Sequence, residues 1–188
     1  MHAEERRKQI TKLLEQASGP LSASYIAAQF AVSRQIIVGD VALLRAGGLN
    51  VLATPRGYVL EPASELAEGV VYTLACRHGL ERQKEELYTI IDNGGAVLDV
   101  TVEHSVYGQI CAPLHLFSRY DVDEFQDKLA RSGARPLSAL TDGTHLHRIH
   151  CPSQAVFERV RAALQEKGLL YDKGGLSTPC AEEDGRDG

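Results

Sequence analysis

The sequence predicts an α+β protein made of two domains, and three observations support this prediction. Helical apolar spacing dominates the first 60 residues and gives way to two short β-prone runs. From residue 70 onward, strand and helix patterns mix without strict alternation, which is typical of helices packed on a sheet. Between them, residues 61–69 read EPASELAEG, a polar stretch with a proline and a glycine that is typical of a linker.

Composition and charge limit the classes of protein to which this chain can belong. No apolar run among its 188 residues approaches a membrane span, and its start lacks the apolar core of a signal peptide. We therefore expect a cytoplasmic protein without membrane contact. Residues 1–60 hold seven Lys/Arg against four Asp/Glu, whereas the rest hold 13 against 21, so any nucleic-acid contact is expected in the first domain. The four cysteines form no C-x-x-C pair, which favours free thiols over a zinc ribbon.

The first domain, residues 1–60, is predicted to be a winged helix-turn-helix. Ser22 or Ser24 can cap the second helix, and Ser33 can cap the third helix after a tight turn. Two β-prone runs on either side of a turn predict a hairpin, which forms the wing. The predicted elements are helices over residues 4–16, 25–30 and 34–45 and strands over residues 50–53 and 57–60. Three helices followed by a hairpin describe this fold.

Five polar residues of this domain are candidate DNA contacts. The third helix of such a fold enters the major groove, so Arg34 and Gln35 at its start can read guanine and adenine edges. Ser24 and Ser33 can donate hydrogen bonds to phosphates. Arg56, at the tip of the wing, can reach the DNA backbone or the minor groove. The alternative is that the same three-helix unit serves protein interaction or dimerisation.

The second domain is predicted to span residues 70–171 and to pack helices on a sheet. The predicted strands cover residues 70–76, 96–103, 106–116, 137–140 and 144–151. The predicted helices cover residues 80–92 and 121–132, and a last helix is capped by Ser153 and ends near residue 167. Residues 172–188 are polar and glycine-rich, so we expect a flexible tail.

The stretch TDGTHLHRIHC, residues 141–151, holds three of the chain's seven histidines. Side chains two residues apart on a strand point to the same face of the sheet. His145 and His147 can therefore approach one ion together, whereas His150 points to the opposite face. We expect the first two, but not His150, to bind a metal.

A metal site needs further ligands, and the first helix of the second domain offers them. His78 lies just before this helix, and Glu81, Glu85 and Glu86 lie along it. Glu86 lies one turn before the apolar Ile90, so it borders the buried side and is the carboxylate that geometry selects. Two or three imidazoles and one carboxylate suit zinc, nickel, iron or manganese. The alternative is that these histidines are unrelated and lie far apart in the fold.

Four segments resemble the bacterial nicotinate-responsive repressors of NAD synthesis and niacin uptake. VSRQIIVGDVALLRAGG, at residues 32–48, resembles their recognition helix. VEHSVYGQI at residues 102–110, SRYDVDEF at 118–125 and PLSALTDGTHLHRI at 136–149 resemble their three-histidine ligand-binding domain, which is α/β-sandwich-like. The resemblance extends over roughly residues 5–170, in order and without large gaps.

This resemblance implies a dimeric transcriptional repressor that binds a palindromic operator in double-stranded DNA, with nicotinic acid as co-repressor. It also implies one divalent transition metal per chain, bound at the positions of His78, Glu86, His145 and His147. The same residues are those selected above from the faces of the strand and the spacing along the helix.

The contacts to nicotinic acid are left open by the sequence. Its pyridine nitrogen or its carboxylate can reach the metal, and Arg119 or Arg148 can pair with the other end. His104 and Tyr107, in the VEHSVYG stretch, are further candidates for effector binding. Two other functions are considered: a regulator that senses the metal itself, and a metal-dependent hydrolase with an appended DNA-binding domain.

Two positions depart from the family pattern. Ser105 stands in the VEHSVYG stretch where proline is usual, which loosens that loop. Gly39 stands in the recognition helix where a longer polar residue is usual, which removes one possible base contact. The operator preference is therefore expected to differ from that of other members.

Overall fold

The computed structural model describes residues 2–60 and 69–171. The chain divides into two compact units, Met1–Glu65 and Leu66–Gly188. The first is helical with a hairpin and the second mixes helices with an antiparallel sheet, which confirms the predicted α+β class. The predicted linker lies outside the described residues except for Gly69, and the predicted tail, residues 172–188, lies outside them entirely.

The first unit has three helices and a two-stranded antiparallel wing. These elements are α1 (Ala3–Gln16), α2 (Ala23–Gln29), α3 (Arg34–Ala46), β1 (Val51–Thr54) and β2 (Gly57–Leu60). Ser22, and not Ser24, caps α2, because its side chain accepts a hydrogen bond from the backbone N–H of Tyr25 at 3.1 Å. The buried core consists of Ile10, Leu14, Ala23, Ile26, Ala27, Ile37, Val41 and Val51.

The wing is fastened to the helices through the backbone. Leu21 and Tyr58 exchange two backbone hydrogen bonds, each 2.8 Å long. Gly57 has a φ of +143°, and a Cβ built on it would lie 2.4 Å from the Leu21 backbone, so only glycine fits there. At the opposite end of the core, Arg6 of α1 donates to the buried Asp40 of α3 at 2.6 Å. These contacts fix the position of α3 relative to the rest of the unit.

The second unit is a four-stranded antiparallel sheet in the order β3-β6-β4-β5, with its three α-helices packed on the sheet. Its strands are β3 (Val70–Arg77), β4 (Ala96–His104), β5 (Gly108–Leu116) and β6 (Thr144–Cys151). Its helices are α4 (Gln83–Asp92), α5 (Arg119–Ser132) and α6 (Gln154–Glu166). The core lies between the two layers and includes Leu87, Ile90, Val97, Leu116, Ile149, Val160 and Leu164.

Several boundaries differ from those predicted, for local reasons. The predicted helix over residues 80–92 begins as one 3₁₀ turn, Leu80–Arg82, and continues as α4. Helix α5 begins at Arg119, two residues earlier than predicted, because Ser118 and Asp121 form a capping box. Strand β5 begins at Gly108, since the residues before it form the turn that follows β4.

The prediction of a strand over residues 137–140 is wrong. Leu137–Thr141 is a 3₁₀ helix. Pro136 precedes it without a backbone N–H, and Asp142 ends it in the left-handed region at φ 49°. These two residues leave no extended run long enough to pair with the sheet. The turn instead closes on itself, as the Gly143 N–H donates to Ser138 O at 2.9 Å.

Two composition-based expectations can be compared with the described residues. No single helix there is long and apolar enough to cross a membrane; α2 and α3 pass that test only jointly, across a bend of 103°. Cys76, Cys111 and Cys151 are free, and of these only Cys111 is exposed.

Candidate metal centre and DNA-binding surface

Three histidines and one glutamate converge in the interior of the second unit. We call these residues, His78, Glu86, His145 and His147, the His/Glu cluster. The four side chains are all buried, with at most 3% of each exposed. The Nε2–carboxylate distances are 2.8 Å from His78 to Glu86 Oε2, 3.1 Å from His145 to Oε1 and 3.5 Å from His147 to Oε2.

Strand pairing and one helix bring the His/Glu cluster together. His145 and His147 lie on the buried face of β6, and β3 runs beside it with Cys76 opposite His145. His78 directly follows β3, so the same pairing places it near the start of β6. Gly143 makes this approach possible, because a Cβ built on it would lie 2.2 Å from the His78 carbonyl oxygen. Glu86, fully buried in α4, supplies the carboxylate.

Each imidazole of the cluster is oriented by a backbone carbonyl. The Nδ1···O contacts are His78 to Gly79 at 2.9 Å, His145 to Gly143 at 2.9 Å and His147 to Asp99 at 2.6 Å. A carbonyl only accepts hydrogen bonds, so each Nδ1 carries the proton in a neutral ring. The three Nε2 atoms then face the Glu86 carboxylate: they donate hydrogen bonds to it when protonated, and their lone pairs are available to a cation when the rings are neutral. Outer hydrogen bonds from Nδ1 to carbonyls are typical of metal-binding histidines.

The buried carboxylate of Glu86 must be balanced by positive charge in the cluster. Burial disfavours the charged forms of His78 and His147, but their contact with Glu86 outweighs it and raises the pKa of both. Burial likewise works against the Glu86 carboxylate, yet the charge of His147 and the hydrogen bonds of the three imidazoles hold the pKa of Glu86 well below its usual range. In the absence of a cation, protons on the imidazoles must supply the charge that balances the carboxylate.

The buried donor atoms of this region could bind a divalent metal ion. Donor atoms about 2.1 Å from one ion lie roughly 3.0 Å apart when adjacent in octahedral geometry and roughly 3.4 Å apart in tetrahedral geometry. The distances from the three Nε2 atoms to the Glu86 carboxylate oxygens, 2.8–3.5 Å, are in this range, while the group of ligand atoms that all lie within 4.8 Å of one another is that of Cys76, Glu86 and His145. His78 Nε2 is also buried without a well-formed hydrogen bond among the described residues, although Glu86 is 2.8 Å away. Imidazole and carboxylate donors suit zinc, nickel, iron or manganese.

Cys76 borders the cluster and was missed in the sequence. Its Sγ, a Glu86 carboxylate oxygen and a His145 ring nitrogen all lie within 4.8 Å of one another. Burial, followed by the neighbouring Glu86, raises the pKa of the Cys76 thiol well above its usual value. The signal that could have identified it is the two-residue spacing of Cys76 and His78 at the end of a strand.

A small cavity of about 120 Å³ opens beside His145 and His147. It lies between the sheet and the segment that comprises α5 and the following 3₁₀ helix. Apolar side chains dominate its wall, and among the described residues the lining contains one arginine, Arg135, and no lysine, aspartate or glutamate. The complete lining is Gln83, Val100, Ala112, Leu114, Phe125, Leu129, Arg135, Leu137, Ser138, His145 and His147.

The start of α3 in the first unit presents a polar surface. Ser33 caps this helix by accepting from the Ile36 N–H at 3.3 Å, and Arg34 and Gln35 are exposed beside it. Ile36, in the first turn of α3, is 42% exposed. Ser24 is exposed on α2. The third helix thus offers both hydrogen-bonding and apolar groups on its outer side.

The wing carries Arg56 in the turn between β1 and β2. Its backbone N–H donates to the Thr54 hydroxyl at 3.2 Å, and that hydroxyl donates to Gly57 O at 2.9 Å. These two bonds hold the turn, so the position of Arg56 at the wing tip follows from local backbone geometry.

Two family matches divide the chain in the same order as the structure. Residues 6–59 match an HTH domain and residues 71–173 match the 3H domain. The chain is 40% identical over 171 residues to a probable transcription repressor NiaR of Thermotoga maritima, a match that covers 91% of this chain and 96% of that protein. It is 39% identical over 166 residues to the transcription repressor NadR of Bacillus subtilis, covering 88% and 92%. The chain belongs to the NiaR-type family of 3H-domain repressors.

Arg119 and Arg148, the two arginines considered for effector binding, lie away from the cavity. Arg119 pairs with Asp92, with Nε donating at 2.6 Å, and its guanidinium lies over the Tyr88 ring. Arg148 donates through Nε to the buried Asp99 at 2.5 Å. Neither arginine lines the cavity.

The other two effector candidates lie in the turn between β4 and β5 of the 3H domain. His104 Nδ1 accepts from the N–H groups of Val106 and Tyr107, at 3.2 and 3.4 Å. Tyr107 is 76% exposed. Neither residue lines the cavity. His150 lies on β6 three residues beyond His147, and its ring packs beside Gly69, away from the cluster.

Proposed function

We propose that this chain is a DNA-binding transcription repressor of NAD-metabolism genes that binds its operator with nicotinic acid as co-repressor and a divalent metal in the 3H domain. The observation that supports this most directly is the buried His/Glu cluster beside a cavity of about 120 Å³. A comparable cavity of roughly 150 Å³ takes up one benzene ring. The cavity is thus slightly smaller than one that takes up a single six-membered ring.

The metal would be held by His78, Glu86, His145 and His147. It would supply a Lewis-acidic centre able to bind a pyridine nitrogen or a carboxylate. The residues of the chain supply the remaining functions: backbone carbonyls orient the imidazoles, and apolar side chains of the cavity exclude water from the effector ring.

The DNA contacts would be made by Arg34, Gln35, Ser24, Ser33 and Arg56. The exposure of the first two at the start of α3 supports base reading in the major groove, and the wing-tip position of Arg56 supports a backbone contact. One such unit reads few base pairs, so we propose a homodimer on a palindromic operator with half-sites one or two helical turns apart, about 10 or 20 base pairs.

A regulator is better supported than an enzyme. Both relatives are transcription repressors by name, and residues 6–59 match an HTH domain. A hydrolase would leave that first domain without a role. A regulator that senses the metal alone differs from our proposal only in whether nicotinic acid is needed, and this is open to experiment.

One titration tests the proposal. The operator is first obtained by selection from random duplexes with protein, nickel and nicotinic acid present. Its affinity is then measured by gel shift for the metal-free protein, with nickel alone, with nicotinic acid alone and with both. We expect tight binding only with both. Equal affinity with nickel alone would identify a metal sensor, and affinity independent of both would refute the proposal.

A further inference from the structure

The loop between α5 and the 3₁₀ helix Leu137–Thr141 places one arginine at the edge of the cavity. Among the described residues that line it, Arg135 is the only exposed one, so it lies where the cavity meets solvent. Helix α5 ends with Gly133 in the left-handed region at φ 66°, and Pro136 starts the next turn. Arg135 is thus held between two conformationally restricted positions.

The charge of Arg135 is not used within the described parts of the chain. No hydrogen bond or ion pair of Arg135 is found there, in contrast to the paired Arg119 and Arg148. Within residues 2–60 and 69–171, no carboxylate lines the cavity either. The Glu86 carboxylate lies behind His145 and His147 and is contacted by them, so the arginine at the cavity can pair with an anionic ligand.

A second polar group points to the same ligand. Ser138 lines the cavity and is only 5% exposed, and no hydrogen bond of its hydroxyl is found among residues 2–60 and 69–171. A hydroxyl both donates and accepts hydrogen bonds, so Ser138 can bind a polar group of a ligand in the cavity. Gln83, whose amide oxygen accepts from Gln126 at 3.1 Å, adds a further polar group to the lining.

The remaining wall selects a flat apolar ring. Val100, Leu114, Phe125 and Leu129 come from the sheet and from α5. The cavity volume of about 120 Å³ is well below the roughly 300–1,000 Å³ of sites for larger ligands, so a dinucleotide does not fit. A ligand with one six-membered ring and one small polar substituent is suited to a cavity of this size.

We propose that this cavity binds a monocyclic aromatic carboxylate and that Arg135 pairs with its carboxylate, assisted by Ser138. The inference rests on the proposed function in that the effector enters the 3H domain. It goes further by naming the residue that distinguishes the carboxylate from the corresponding amide. A guanidinium forms two parallel hydrogen bonds with a carboxylate, which an uncharged amide cannot match.

The test is calorimetric titration of the full-length, nickel-loaded protein with nicotinate, benzoate and nicotinamide. The variant Arg135→Gln should bind both carboxylates roughly 10- to 100-fold more weakly, the range expected for loss of a hydrogen bond to a charged group. Nicotinamide binding should stay as in the parent protein. Controls are Arg131→Gln, which removes an exposed arginine that pairs only with Asp127 on the same helix, and Arg119→Gln. Metal content and melting temperature, measured on every variant, confirm an intact fold.

The outcomes separate this inference from the proposed function. Unchanged nicotinate affinity in Arg135→Gln, or an equal loss in Arg119→Gln, overturns the assignment of Arg135 and leaves the co-repressor proposal in place. Arg135-dependent binding of benzoate without any binding of nicotinate supports the cavity assignment and overturns nicotinic acid as co-repressor. Failure of the parent protein to bind either carboxylate overturns both.

Discussion

The Nε2 atom of His78 lies 2.8 Å from Oε2 of Glu86, and neither side chain is more than 2% exposed. This is the shortest of the three imidazole–carboxylate contacts in the cluster. It joins the residue that follows β3 to the buried side of α4. Any change of charge in one partner therefore acts on the other with little screening by water.

Substitution of one strand histidine tests the face assignment. His147→Ala removes an imidazole whose Nε2 lies 3.5 Å from Glu86, so it should lose both the metal and the response to nicotinic acid. Operator binding in the absence of ligands should stay as it was. His150→Ala is the matched control on the same strand and should change neither property. Elemental analysis and gel shifts report both; full metal content in His147→Ala, or metal loss in His150→Ala, would show that the wrong face was chosen.

The stability of the metal-free protein should depend on pH in a defined direction. The pKa values of His78 and His147 are raised above 6.5, so their contribution is complete below about pH 6.5 and is lost as pH rises through the raised values. The pKa of Glu86 is lowered below 4.5, so its contribution is lost only as pH falls through that lowered value. With EDTA, the melting temperature should therefore fall from pH 6.5 to 8.5.

Bound metal should reverse this dependence, because imidazoles must be neutral to bind it. The stabilisation by added nickel should grow as pH rises from about 6 to 8. Glu86→Gln is the control, since it removes the charge that raises both histidine pKa values. An EDTA melting profile with the same pH slope in Glu86→Gln and in the parent would contradict the electrostatic account.

Substitutions on the DNA-binding surface should weaken DNA binding in two different ways. Arg34→Ala and Gln35→Ala should each weaken specific operator binding by about 1–3 kcal/mol, the value of a bidentate base contact. Arg56→Ala should weaken binding to all sequences and flatten its salt dependence. Arg131→Ala, which removes the same charge from the other domain, should do neither. Gel shifts over a series of salt concentrations measure both effects. Unchanged specificity in Arg34→Ala and Gln35→Ala would show that α3 does not enter the major groove.

The glycine of the recognition helix should be replaceable without a steric clash. A Cβ at Gly39 meets no atom within 4 Å, so Gly39→Ala should stabilise α3 by about 0.5–1 kcal/mol. Gly48→Ala is the contrasting control, because Gly48 has a φ of +90° and alanine is strained there. Hydrogen exchange of the α3 amides measures both. Slower exchange in Gly48→Ala than in Gly39→Ala would contradict the expected order of stability.

Local periodicity allowed part of this site to be predicted from the sequence. The two-residue period of β6 placed His145 and His147 on one face, and helical spacing placed Glu86 on the buried side of α4. Cys76 was missed because its proximity depends on the β3–β6 register, which opposes it to His145. Arg135 was missed because it lies in a loop, where no period relates its position to the cavity.

The metal centre itself can be located by anomalous X-ray diffraction from crystals of the nickel-loaded protein at the nickel absorption edge. We expect one strong peak per chain, within about 2.0–2.2 Å of Nε2 of His78, His145 and His147 and of a Glu86 carboxylate oxygen. The absence of a peak in the cluster, or a peak held by other residues while these four remain as they are, would refute the proposed metal site.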